Sequence, residues 1–216
     1  MQPRPSDAHA PGRRRRLVPM LAGLVVAGVC ASEPADAGAP PSTLQVVKLP
    51  PAALGSASRA VAAAVQPDLR DGQSAFVLGK QAFAVTGGSR TLYLVPVNYA
   101  SRKSLNAVCD LMVLDEHFRI TGRARLFGAD NTDEEALARC TNVLAAAFRA
   151  RDARHLDGVY LMATGVINTT RNAAEVVAID TVSGQVVADD KRTAAIDDGK
   201  EAQSVGPLMA RLERLP

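Results

Sequence analysis

From residue 74 onward the sequence is a succession of short β-favouring runs divided by turn residues, and that punctuation limits the fold more than any other feature. Ser74 to Leu78, Ala82 to Thr86 and Thr91 to Val97 are apolar or alternating, separated by Gly79-Lys80 and by Gly87-Gly88-Ser89, residues suited to tight hairpins. Val108 to Leu114 and Phe118 to Leu126 form a further pair around Asp115-Glu116-His117. In the second of these, Phe118, Ile120, Ala124 and Leu126 share one parity while Arg119, Thr121, Arg123 and Arg125 share the other. Period two with the polar set on one side is the pattern of a half-buried antiparallel strand. Val159 to Ile167, Ala174 to Ile179 and Gln185 to Ala188 continue the series, with turns at Asn168 to Asn172 and Asp180 to Gly184. Strands that follow one another through hairpins argue against a doubly wound nucleotide-binding fold, in which strands alternate with helices.

Helical signals are fewer. Thr132-Asp133-Glu134-Glu135 reads as a capping box, and Leu137, Cys140, Leu144, Ala147 and Phe148 follow at spacings of three and four. These features predict the main helix over about 132–150, laid across one face of the sheet. Residues 52–65 are Ala-rich with Val61 and Val65 four apart, which predicts a short helix ending before Pro67. Pro207 to Leu215 predicts a short amphipathic C-terminal helix, with Pro207 in its first turn. Leu44 to Leu49 reads as a first strand closed by Pro50-Pro51. The expected architecture is α+β: an antiparallel sheet of about seven strands, one main helix packed on it, and the short terminal helix.

The first 37 residues read as an export signal. Four arginines, Arg13 to Arg16, precede an apolar run from Leu17 to Val29, too short for the ~20 residues that span a bilayer core. Small-residue cleavage motifs end at Ala31 and Ala37, and the Pro-rich stretch 38–43 would link the second to a domain at 44–216. An uncleaved anchor is one alternative. Lipidation of Cys30 is another, although Val29 before it is branched where a lipobox carries a small residue. Five of the 25 basic and three of the 22 acidic residues fall within 1–37, leaving 20 against 19 in the remainder. The net charge of +3 therefore belongs mostly to the leader and is no argument for nucleic-acid binding. Aromatic content of 4% with no Trp argues the same way, because single-stranded nucleic acids and sugars are held on aromatic faces.

With the leader set aside, Cys109 and Cys140 remain, an isolated pair that an oxidising compartment would join. Cys109 shares strand parity with Leu111 and Val113, and Cys140 lies in the apolar stripe, so a bond between them is expected to tie helix to sheet.

Motifs that carry chemistry are sparse. His117 stands beside Asp115 and Glu116, and His155 stands near Asp152, Arg154 and Asp157. Neither sits at a metal-ligand spacing, and no nucleophile elbow, Ser-x-x-Lys or phosphate loop occurs. No catalytic, metal or cofactor site is expected. Asp189-Asp190 and Asp197-Asp198-Gly199 lack calcium-loop spacing and read as solvated loops. Asn168-Thr169-Thr170 fits a glycosylation sequon but also a turn. One constellation suggests binding. Arg119, Arg123 and Arg125 line the polar side of a strand, and Arg149, Arg151 and Arg154 gather past the C-terminus of the expected helix. Together these six would make a guanidinium surface for carboxylate or phosphate groups.

The leading expectation is an exported, periplasmic or secreted, non-catalytic binding protein, an inhibitor or immunity-type partner of another exported protein or of an anionic envelope component. A small envelope-acting hydrolase is the first alternative, with His155 and Asp157 or His117 and Glu116 as its acid and base. A structural or assembly accessory is the second.

Overall fold

A computed structural model describes residues 43–69, 72–101, 107–127, 139–166, 169–197 and 203–215, all within the unit Gly38–Pro216. The leader with Cys30, the capping box at 132–135 and Asn168 lie outside the described residues.

The strands divide between two antiparallel sheets. The first contains β1 (Gln45–Lys48), β2 (Gln73–Val77), β3 (Phe83–Thr86), β4 (Leu92–Ser101), β5 (Val108–Asp115) and β6 (Ile120–Phe127). They run in the order β1-β3-β4-β5-β6, and β2 pairs the far half of β4. The second contains β7 (Arg139–Ala150), β8 (His155–Val166), β9 (Thr169–Asp180) and β10 (Val186–Ala188), in the order β10-β9-β8-β7. Turn chemistry sets the hairpins: Gly87 after β3 has φ 86° and Gly184 before β10 has φ 76°, backbone that only glycine takes without strain.

Each sheet is apolar on both faces, so both faces are covered. Leu94, Leu111, Val113 and Leu126 of the first sheet meet Val143, Leu156, Met162 and Ile179 of the second in one buried core. Phe83 meets Phe148 edge to face across that interface, ring centroids 4.9 Å apart, and Phe148 meets Tyr160 of its own sheet likewise at 5.7 Å. The outer face of the first sheet (Val95, Val97, Met112, Leu114) packs under α1 (Pro51–Val65), whose Ala57, Val61 and Val65 are buried four residues apart. The outer face of the second (Val159, Leu161, Val176) packs under α2 (Asp190–Ile196) and α3 (Val205–Leu212) through Ile196, Leu208, Met209 and Leu212. The layers run helix, sheet, sheet, helices.

The α+β class with antiparallel sheets holds, as do the helix at 52–65 and the short C-terminal helix. Ten strands in two sheets among the described residues stand in place of about seven. The main helix expected over 132–150 is corrected: residues 139–150 are a strand, and α1 is the longest helix among the described residues. The reason is visible in the register. Two bulges interrupt the pairing of β7 with β8, between Cys140 and Asn142 and between Val143 and Ala145. Each inserts one residue and inverts the parity beyond it. Cys140, Val143, Ala146 and Phe148 therefore all face the inter-sheet core, while Ala145 and Ala147 face the outer layer. Spacings of three, three and two along a bulged strand imitate a helical stripe. The same effect moves Ile120 to the outer face, because the β5–β6 register shifts between Val113 and Leu114.

Candidate functional site

Cys109 on β5 and Cys140 on β7 are disulfide-bonded, with Cα atoms 5.7 Å apart and both residues fully buried. The expected pair is correct, but since 139–150 is a strand the bond ties sheet to sheet. Buried Asn98 supports it, its amide donating to the Cys140 carbonyl at 2.6 Å.

The six arginines singled out from the sequence do not converge. Arg123 and Arg125 stand on the outer face of the first sheet, whereas Arg149 stands on the outer face of the second, at the opposite side of the sandwich. Five of the six meet carboxylates. Arg119 closes the turn after β5, where buried Asp115 accepts from its Nε at 2.7 Å and from the backbone amides of His117 and Arg119. Burial works to raise the Asp115 carboxyl, yet these hydrogen bonds hold it below the usual range. Arg154 pairs Asp180 at 2.8 Å, and that guanidinium with neighbouring backbone amides pulls the Asp180 carboxyl down.

Arg123 and Arg125 form the tightest grouping. Asp110 is fully buried within the apolar β5, and its two oxygens accept from Arg123 Nε at 2.7 Å and Arg125 Nε at 2.5 Å. A fully buried carboxylate is tolerated only when paired, so it fixes both guanidiniums side by side. Their side chains remain 39% and 42% exposed. Tyr99 lies beneath, 5.4 Å from the Arg123 guanidinium, and burial followed by the Asp110 charge pushes its hydroxyl up to about 12.

A second grouping was only half visible in the sequence. Asp157 begins the outer row of β8, is fully buried, and shares its Oδ2 between Arg149 at 3.0 Å and Arg192 at 2.9 Å. Arg192 comes from α2, and its Nε donates to Asp189 at 2.6 Å. Asp189 and Asp190, expected in a solvated loop, instead start this helix: the Asp189 side chain accepts the Arg192 amide as an N-cap. The Asp-Asp-Lys-Arg-Thr run was the signal. Arg149, Arg151 and Arg192 then line a cleft of about 360 Å³ together with Ala150, Leu212 and Leu215.

The histidines take separate places. His155 Nδ1 lies 2.8 Å from Asp152, whose carboxylate also receives the amides of Arg154 and His155. The His155 side chain foremost, with those amides, lowers the Asp152 carboxyl to about 2. Asp157, the partner expected for His155, is held by the two arginines. His117 lies 3.8 Å from Glu116, both well exposed. Among the described residues no group of three or more His, Cys, Asp or Glu is placed to hold a metal. No helix there is long and apolar enough to cross a membrane. Exposed apolar side chains on short edge strands are Val47 on β1, Phe76 on β2 and Val187 on β10.

Family models, curated proteins and solved structures were compared with the chain, and none matches it.

Proposed function

We propose that the chain is an exported, non-catalytic binding protein that holds an acidic surface of another exported protein against Arg123 and Arg125, as an inhibitor or immunity-type partner does. The observation that carries this reading is the buried Asp110 under both guanidiniums. An arginine free in solvent loses side-chain entropy when it meets a carboxylate; a pair already fixed by a buried acid loses less. Export is supported by the Cys109–Cys140 disulfide, since such bonds persist in oxidising compartments, and by the basic and apolar leader.

The structure also shapes the test. Reversing both charges would set two further carboxylates against Asp110, beside Asp68, which already lies 3.4 Å from Arg123, and unfold the site. Arg123→Lys with Arg125→Lys keeps the charge on Asp110 but removes the planar forks that match carboxylates. This double variant is expected to retain its fold and lose capture of an envelope partner by about tenfold or more.

A further inference from the structure

The cleft at the end of the second sheet is built differently from the Arg123–Arg125 pair. Its two inner guanidiniums are immobilised from beneath: Arg149 donates to Asp157 and, at 3.4 Å, to the Leu212 carbonyl, while Arg192 donates to Asp157 and Asp189. Their side chains are only 27% and 19% exposed. Arg151 stands beyond them at the end of β7, exposed, with no side-chain partner among the described residues. Three guanidiniums against the two carboxylates of Asp157 and Asp189 leave one net positive charge. One donor is also orphaned: Arg149 Nε has neither solvent nor a hydrogen-bond partner. Buried polar atoms are rarely left so unless something else completes them. The rest of the lining is apolar, from Leu212, Leu215 and Ala150.

We infer that this cleft binds a carboxylate carried on a short apolar body, its oxygens facing Arg151 and the Arg149–Arg192 pair and its chain lying against Leu212 and Leu215. One net charge balances a monoanion, whereas a phosphate dianion would exceed it. Planar guanidiniums present paired donors to a planar carboxylate. The volume falls at the small end of ligand pockets, which suits a small acid or a chain terminus. The shared chemistry comes from two sources, a free aliphatic acid or the C-terminal residue of a peptide.

Calorimetric titration of the full chain distinguishes them, using octanoate, acetate, inorganic phosphate, and the tripeptide Ala-Ala-Leu with a free or an amidated terminus. The site is supported by octanoate binding, by free tripeptide binding at least about tenfold tighter than the amide, or by both, with acetate weaker. The stronger of the two ligands identifies the source. Arg151→Glu should weaken that binding at least about tenfold while the melting temperature holds, because the Arg151 side chain has no partner among the described residues. Phosphate binding as tightly as octanoate would reduce the cleft to simple charge attraction and overturn the inference. So would unchanged binding in Arg151→Glu, or no binding of any probe below about 10 mM.

Discussion

Breaking the Cys109–Cys140 bond removes the only covalent tie between the two sheets among the described residues. The cysteines are 31 positions apart, and for a loop of that length the closure relation gives about 3.7 kcal/mol at 25 °C. In a domain of this size that corresponds to a melting point lowered by roughly 7 to 15 °C. Because both sulfurs are fully buried, reductant added to the native protein will react slowly. The chain should therefore be unfolded in urea, reduced, and refolded with reductant present. Urea unfolding of the reduced and oxidised forms then reads the closure contribution alone. Cys109→Ala with Cys140→Ala adds the loss of packed sulfur, for a total of about 4–5 kcal/mol. That variant should also ignore reductant. A difference below about 1 kcal/mol between reduced and oxidised wild type would refute the reasoning, since the sheets would then be held in place by the core alone.

Asp110→Asn should lower stability by about 1–3 kcal/mol in urea unfolding, because one accepting oxygen becomes a donor set against a guanidinium and the other loses its charge, while Arg123 and Arg125 can still reach water. Gly158→Ala would set a Cβ 3.0 Å from Val177 and 3.1 Å from the Phe148 ring. Overpacking there should cost about 1–3 kcal/mol by the same measurement. Burial foremost, with Asp190 and Asp189 adding to it against the Thr193 hydrogen bond, raises the Glu175 carboxyl from 4.5 to about 7. The folded state thus keeps a proton that the unfolded state has released between those values, so stability should fall as pH rises from about 4.5 to 7. Melting curves across that window should show the decline, and Glu175→Gln should flatten it.

How much of this was legible depends on the range of the interactions involved. Strands such as β4, β5 and β6 declare themselves because alternation and turn chemistry act between near neighbours. β7 did not, because its two bulges shift parity at Asn142 and Ala145 and leave Cys140, Val143 and Ala146 at helix-like spacing. Nor could the division into two sheets be read, since nothing local states which hairpins stack. The Cys109–Cys140 pair was legible by elimination, but its architectural meaning depended on the nature of residue 140's element. For the site, Arg123 and Arg125 were visible as the polar parity of a strand, whereas Asp110 beneath them is a single charge in an apolar run. A buried acid needs a partner, so that single residue was the clue to the pair. Arg192 and Asp157 could not be joined from sequence, because α2 reaches β8 only through tertiary packing.

The central claim is that Asp110 presents Arg123 and Arg125 to an acidic partner outside the cytoplasm. It is tested most directly by quantitative co-purification of the protein from the envelope of the cell that makes it, wild type beside the Arg123→Lys, Arg125→Lys variant, with melting curves recorded for both. The expected result is a specific partner whose recovery falls about tenfold or more while the melting temperature changes little. Equal recovery by a folded variant would contradict it.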